Sequence, residues 1–447
     1  MERDLARIVG AGFVLPGDDP VLTADQTAFG AVRGVADAVV RPADAEQVAA
    51  VVAWCHERGV AVIPRGGGTG WAGGAVPQGS GVVVTLDRLN RVRALDPLQW
   101  RMQVDAGVTT HTVRRLAREN GLCFPPDPGA AEQSQIGGNI ATNAGGPHCF
   151  KYGVTGAWVT GLEAVVAPGE LLRVGGPVRK DVAGYDLRGL LIGSEGTLGI
   201  VTSAWLRLMP APPVALPVAA FYADAAAGAE AVTRLMAAGP IPSVIEVLDG
   251  GTLRAAGAGF PGAVPDGARL LVLTEADTSA ADRDALAEAL APDAIGGPVI
   301  PDDAAALWRW RDGIGLAVAV PRGGKLSEDI TVPLDRLAEA IERVVSIGAA
   351  HGLEACSWGH AGDGNLHATL LLDPADPGEV ARAWRAADDV LSLAIELGGT
   401  ISGEHGIGLL KRGRLRDQWP AASVTAHRAI KTALDPKGIF NPGKKEA

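Results

Sequence analysis

Between an apolar run at Val60 to Ile63 and another at Val82 to Leu86 lies Pro64-Arg65-Gly66-Gly67-Gly68-Thr69-Gly70-Trp71-Ala72-Gly73-Gly74. Gly68, Gly70 and Gly73 meet the G-x-G-x-x-G spacing that opens a dinucleotide-binding helix, and Asp87 stands at a suitable acidic distance. No helix has room to follow, because Pro77, Gly79 and Gly81 occupy the positions it needs. The segment therefore reads as strand, long glycine loop, strand, and the match to that fingerprint is a decoy. Such a loop is either a flexible hairpin connection or a nest of bare backbone N–H groups that holds a pyrophosphate. Two further runs of small residues, Ile136 to Gly146 and Gly193 to Val201, favour the second reading. Three such runs in one half of a chain suggest a large, extended ligand lying along the backbone.

A different chemistry gathers downstream. Gly359-His360-Ala361-Gly362-Asp363-Gly364-Asn365-Leu366-His367 follows the apolar run Leu353 to Trp358 and precedes another, Ala368 to Leu372. That is strand, tight turn, strand, with two imidazoles at the mouth of one turn. Ser402-Gly403-Glu404-His405-Gly406 adds a second acid and a third imidazole between glycines. Of eight histidines, three fall in these two segments. Two His and a carboxylate suit a divalent transition metal with open positions, although polar residues in Gly-rich turns also merely cap strands.

The rest of the chain frames these segments. Asp44 has the look of an N-cap with Gln47 behind it, Val48, Val51, Val52 and Cys55 form a helical stripe, and Gly59 ends it. A second helix is expected over Thr110 to Asn120, while the residues up to about Val40 look irregular, with room for an entry helix and a loop. Met209-Pro210-Ala211-Pro212-Pro213 reads as a domain boundary. Beyond it, strands are expected at Val218 to Tyr222, Ser243 to Leu248, Arg269 to Thr274 and Ile330 to Val332, with Thr400 to Ser402 closing the sheet. Helices are expected at Ala225 to Ala237 and Ala280 to Leu290, then in a second round at Asp335 to Ile347 and Gly378 to Leu397, where strand-helix-strand-strand-helix-strand suggests a split βαβ, α+β layer. No tandem repeat is visible, and the tail from Leu434 to Lys444 looks irregular, as if laid against another surface.

A formal charge of -11 argues against nucleic acid or an anionic membrane surface as the main partner. Cys55, Cys123, Cys149 and Cys356 show neither a paired motif nor iron–sulfur spacing, as expected of thiols in a reducing cytosol. Met1-Glu2-Arg3-Asp4 carries acids and leads into no long apolar core, so no signal peptide is expected. No apolar run approaches ~20 residues, so no transmembrane segment is expected.

In order and over nearly the whole chain, these segments resemble FAD-linked oxidases of the vanillyl-alcohol oxidase/p-cresol methylhydroxylase (PCMH) superfamily. They are most similar to the branch with D-lactate dehydrogenase, D-2-hydroxyglutarate dehydrogenase and the glycolate oxidase flavin subunit. The resemblance implies an α+β protein with three parts. Residues 1–212 would be a PCMH-type FAD-binding domain of two α+β subdomains. Residues 213–405 would be a ferredoxin-like α+β substrate and metal domain, and residues 406–447 a segment returning to the FAD domain. Arg65, Gly66, Gly67, Gly68, Thr69 and Gly70 would hold the pyrophosphate. Gly137, Gly138, Asn139, Thr142 and Asn143 would line the flavin, with Pro126 and Gly145 nearby. Gly196 and Ile200 would lie toward the adenine, and Asn441 toward the isoalloxazine. Where some relatives tether flavin to a His, this chain has Thr69, so noncovalent FAD is implied.

The resemblance also makes His360, His367 and Glu404 the ligands of a zinc or manganese ion and His405 the base. Arg311 would bind the substrate carboxylate, with Lys325 and Asn365 as further substrate residues. The implied reaction oxidises a 2-hydroxy acid, with an unperturbed imidazole pKa of about 6.5 suiting His405 to take the hydroxyl proton. With no iron–sulfur motif, electrons would leave to oxygen, a quinone or an electron-transfer protein. A cytoplasmic location, possible peripheral membrane association and a homodimer fit that picture. Two other readings remain open at this point: a noncatalytic flavin subunit of a redox complex, and a metal-dependent hydrolase acting on a nucleotide.

Overall fold

Asp44 begins the first long helix as its sequence foretells: the carboxylate accepts the Gln47 N–H at 2.8 Å, and Ala45–Arg58 follows until Gly59 turns left-handed at φ 65°. This computed structural model describes residues 1–27 and 32–446. Residues 28–31, part of the stretch expected to be irregular, lie outside the described residues. The described chain divides into two units. Unit 1 is Met1–Gly145, Gly153–Ala211 and Glu404–Ala447, and unit 2 is Gly146–Tyr152 and Pro212–Gly403.

In unit 1 the helix buries Val48, Val51, Val52 and Cys55 against Val62, Val82 and Val84. Those valines belong to a four-stranded sheet ordered Val14–Pro16, Ala38–Val40, Val82–Thr85, Val62–Arg65. Val62–Arg65 and Val82–Thr85 pair in parallel, so the glycine loop joins parallel neighbours with no crossover helix. That settles the fingerprint as a decoy. Ile439 and Phe440 of the tail join the same core, and the Val62 N–H donates to the Ile439 carbonyl at 2.8 Å. A second, antiparallel sheet orders Val92–Asp96, Arg101–Asp105, Ile200–Arg207, Val159–Val166 and Glu170–Gly175. Helix Thr110–Glu119 starts at a Thr109 side-chain cap, and helix Ile136–Thr142 carries the second glycine run.

Unit 2 is built on one six-stranded antiparallel sheet. Its first half runs strand Leu216–Tyr222, helix Ala225–Ala237, strands Val244–Asp249 and Leu270–Ala276, helix Ala280–Leu290, then a bridge from Val299 back to Ala219. The second half repeats the plan with strand Gly324–Thr331, helix Leu337–Ala350, strands Glu354–Gly359 and Asn365–Leu372, helix Pro377–Glu396, and a bridge from Thr400 to Thr331. Each is a ferredoxin-like βαββαβ unit whose fourth strand has shrunk to one bridge. They join edge to edge through Val247 opposite Gly359 and Leu248 opposite Trp358. A second round of strands and helices was expected, though no tandem repeat; the structure joins the two rounds as topologically equivalent halves of one sheet.

Three local expectations are corrected. The strand expected at Ile330 to Val332 spans Gly324–Thr331, because buried Glu328 and Asp329 break the apolar pattern that would mark its first half. The strand expected at Thr400 to Ser402 is a single bridge. His367 stands inside strand Asn365–Leu372, opposite Asp329 and Trp358, and not at the turn itself. No helix among the described residues is long and apolar enough to cross a membrane.

The turn before that strand depends on Gly364, whose φ is 69° and whose added Cβ would lie 2.0 Å from the Val332 carbonyl. Gly364→Ala is therefore expected to cost at least about 2 kcal/mol, read as a lowered urea midpoint. An unchanged midpoint would show that the hairpin does not close as described.

Candidate active site

In unit 2 the histidine hairpin sets its side chains by register and by one carboxylate. His360 closes strand Glu354–Gly359, and its ring meets that of His367 edge to face, centroids 5.4 Å apart and planes at 88°. Both imidazoles are buried. Glu246, fully buried on the neighbouring strand Val244–Asp249, accepts from His360 Nδ1 at 2.5 Å. The same carboxylate accepts Arg311 Nε at 2.8 Å and Nη2 at 2.5 Å. Arg311 reaches it from helix Ala304–Ala317. One acid thus fixes the ring orientation of His360 and the guanidinium plane of Arg311, and directs His360 Nε2 away from itself.

Asn365 is buried with its Nδ2 donating to Asp329 Oδ1 at 2.6 Å and the Ile330 carbonyl at 3.0 Å. That fixes the amide's orientation, and Asn365 Oδ1 has no hydrogen-bond partner among the described residues. Asp329 also accepts Ser402 Oγ at 3.0 Å. Lys325 lies within its strand, and not before it as its sequence context implied, with Nζ 5.0 Å from the Trp358 ring centroid. Burial pushes its pKa down to about 8. Unit 2 closes at Gly403, where a Cβ would lie 2.2 Å from Asn365 Nδ2; Glu404 is the next residue.

Unit 1 gathers the glycine runs. A Cβ on Gly66 would sit 3.3 Å from the Gly138 Cα, and one on Gly67 would sit 2.0 Å from the Gln133 carbonyl. Gly137 packs as closely on Ala106. The first two runs therefore meet backbone to backbone, a cradle that side chains would fill. Gly68, at φ 69°, lies on the Arg65 guanidinium, which donates to the carbonyls of Ala24 at 2.5 Å and Val21 at 2.7 Å. Arg65 thus braces the loop from beneath, while Thr69 and Gly70 complete it. Asn139 donates to Thr110 Oγ1 at 2.6 Å, and Thr142 to the Gly138 carbonyl at 3.2 Å. Asn143, left-handed at φ 54°, accepts the Gly156 N–H.

Pro126 is buried nearby in sequence, and Gly196 packs on Pro64 of the strand entering the first loop. Ile200 is a core residue: its side chain packs with Val62 and Val82, so only its backbone is available to a ligand. Asn441 donates to the carbonyls of Gly74 at 2.9 Å and Glu195 at 2.8 Å. Glu404 lies on Gly145, where a Cβ would come within 2.5 Å of its Oε2. His405 stacks with Trp71 of the first loop at 6.3 Å and 25°. Sequence reasoning had not singled out Glu246, Asp329 or Glu195. Their signal was faint, an acid inside an apolar strand or beside glycines.

Comparison with known proteins identifies two families along the chain. Residues 211–445 match the family described as FAD linked oxidases, C-terminal domain, and residues 36–175 match a FAD binding domain family. The glycolate oxidase subunit GlcD of Bacillus subtilis is 37% identical over 420 residues, covering 92% of this chain and 89% of that protein. The D-2-hydroxyglutarate dehydrogenase of Xanthomonas citri pv. viticola is 36% identical over 425 residues, covering 91% and 88%. Among solved structures, p-cresol methylhydroxylase with substrate bound superposes with a TM-score of 0.79 at 19% identity, over 99% of this chain and 95% of that one. That likeness bears on the fold, and the PCMH-type architecture expected from the motifs is shown.

Two substitutions test the unit 2 cluster. Glu246→Ala leaves a largely shielded guanidinium, 12% exposed, without its fully buried carboxylate and is expected to cost about 3 kcal/mol in urea unfolding. A loss under about 1 kcal/mol would mean that the carboxylate is not the shared acceptor. Lys325 binds a proton in the unfolded chain up to about 10.5 but in the folded chain only to about 8. Its burial therefore costs stability fully below pH 8, and the cost fades as pH rises toward 10.5. Lys325→Met is expected to stabilise by roughly 1–3 kcal/mol at pH 7, with the gain shrinking between pH 8 and pH 10 in paired thermal melts.

Proposed function

The chain belongs to the FAD-linked oxidases, and from that premise we propose that it oxidises a 2-hydroxy acid to the 2-oxo acid with FAD and a divalent cation. The observation that carries this reading is the buried pair His360 and His367, edge to face, with Arg311 tied to the same Glu246. The face-to-face glycines Gly66 and Gly138 suit FAD, since they offer a backbone cradle with no side chain in it. The donor set suits a metal of the zinc or manganese kind: two imidazoles, one oriented through Nδ1, and Glu404 following directly on Gly403.

In this reading Gly66 to Gly70 take the pyrophosphate on backbone N–H groups, and Gly137 to Asn143 with Asn441 line the flavin. Thr69 offers no imidazole for a tether, so the flavin is noncovalent. Arg311 takes the substrate carboxylate at the guanidinium edge opposite Glu246. Lys325, on the strand beside it, adds a donor whose charge depends on pH near 8. Asn365 Oδ1, fixed by the bonds of Nδ2 to Asp329 and Ile330, orients the substrate hydroxyl. His405 takes the hydroxyl proton. When bound, the cation would supply Lewis acidity at the hydroxyl oxygen and FAD the two-electron acceptor for the Cα hydride, so loss of the hydroxyl proton to His405 and of the hydride leaves the carbonyl. Relatives named as D-2-hydroxyglutarate dehydrogenase and glycolate oxidase subunit support the substrate class. Because one of them is named a subunit, the proposed electron acceptor is a redox protein, with a quinone or oxygen as the alternatives.

The purified protein is expected to show flavin absorption near ~450 nm and to bleach anaerobically with glycolate, D-lactate or D-2-hydroxyglutarate. Acid precipitation should release the flavin, and a chelator should slow bleaching until zinc or manganese is restored. His405→Gln is expected to slow reduction by about 100- to 10,000-fold. A flavoprotein that no 2-hydroxy acid bleaches with metal present would defeat the proposal.

A further inference from the structure

We propose that Glu195 is a positioning residue for His405: it locks the segment carrying the imidazole onto the helix that lines the cofactor cradle. The inference rests on the reading of His405 as base. Glu195 is a buried non-glycine residue in the left-handed region, with φ 54°, set between Gly193 and Gly196. Such a conformation costs about 1–3 kcal/mol and persists only where the surroundings over-determine it. Here they do so from three sides. The Glu195 N–H donates to the Ala141 carbonyl at 2.7 Å, on helix Ile136–Thr142. Its carbonyl accepts Asn441 Nδ2 at 2.8 Å. Its carboxylate accepts the Ile407 N–H at 2.9 Å, the Gly408 N–H at 2.6 Å and Lys445 Nζ at 3.1 Å.

One residue therefore ties the flavin-lining helix, the tail residue Asn441 and the backbone just after His405. The fit around it is tight. A Cβ on Gly406 would stand 2.9 Å from Glu195 Oε1, and Gly406 itself has φ 86°. Two successive N–H groups converging on one carboxylate make an anion nest, here filled by the protein's own side chain. The nest begins two residues past His405, so the ring's approach to the cradle is set by the Glu195 carboxylate. A generic packing role would need none of these groups to come from segments that each bear on the site. Catalysis is sensitive to displacements of the order of 1 Å, which is the scale on which a lost carboxylate would let this segment move.

Glu195→Gln keeps the size of the side chain but turns one acceptor into a donor that faces an N–H. With FAD content and dithionite reduction unchanged, its anaerobic reduction by a saturating 2-hydroxy acid is expected to slow by about 10- to 100-fold. The substrate dissociation constant should stay within about twofold, and the solvent isotope effect on flavin reduction should rise as proton transfer becomes limiting. Lys445→Met, which removes one partner of the same carboxylate, should move both readouts in the same direction by less. If Glu195→Gln fails to fold, Lys445→Met decides alone. Wild-type reduction rates and isotope effects in the folded variants, or a rate loss that follows FAD loss in proportion, would overturn the assignment. A wild type that no 2-hydroxy acid reduces, or a His405→Gln variant that is unimpaired, would instead bring down the reading on which it rests.

Discussion

A carboxylate drawn out of water keeps its charge only where N–H donors replace its hydration, and donors close enough to do so must be held in place by the chain that bears them. This constraint organises both units. Glu246, on an inner strand, is met by Arg311 and His360 from two other elements. Glu195 is met by Ile407, Gly408 and Lys445. Asp435 is met by the N–H groups of Ile439 and Phe440 and by Lys431, which also donates to the Thr197 carbonyl at 2.7 Å. Glu246 and Glu195 join stretches far apart in sequence, whereas Asp435 closes a local turn whose Lys431 reaches back to Thr197; each stretch carries a proposed functional residue or leads into one. Apolar burial makes the two cores. These acids decide where functional side chains stand upon them.

The glycines act by what they leave out. Where Gly67 faces the Gln133 carbonyl no Cβ would fit, and where Gly66 faces Gly138 the two backbone runs leave only a tight fit for one. The runs consequently present N–H groups and carbonyls to whatever lies against them. A rigid frame is needed to hold such bare backbone open. Arg65 supplies it below the first loop, and Asn441 supplies it at the end, by bonding Gly74.

Much of this was legible beforehand, for definite reasons. Helix Ala45–Arg58 announces itself through Asp44 and Gly59, and the decoy fingerprint is exposed by Pro77, Gly79 and Gly81. The histidine hairpin is written as two apolar runs around glycines, and the superfamily resemblance rests on motif order. What stayed hidden has one cause. Glu246 and Asp329 are acids inside strands, where propensity disfavours them, and only partners remote in sequence make them tolerable. Glu195 likewise adopts a backbone conformation that favours glycine. Strand Glu170–Gly175 mixes exposed with half-buried residues and buries none fully, so its sequence carries little strand signal. The two rounds of strands and helices in unit 2 were legible, but their equivalence and edge-to-edge pairing were not, because topology repeats there while side chains do not.

That plan explains why the key acid of the unit 2 cluster comes from the half without the histidines. The halves join where Val247 faces Gly359 and Leu248 faces Trp358, so continuing the register brings Glu246 to His360. In the second half the two middle strands are joined by the short turn after Gly359, whereas in the first half helix Gly250–Ala256 intervenes between the equivalent strands. An inserted helix at the second position would displace the turn that carries His360. A short turn at the first would remove Thr252, whose N–H donates at 2.8 Å to the capping carboxylate of Asp249 at the end of the strand that delivers Glu246. The seam therefore accommodates one histidine turn and one acid donor strand, and the asymmetry of the two connections assigns each role to its half.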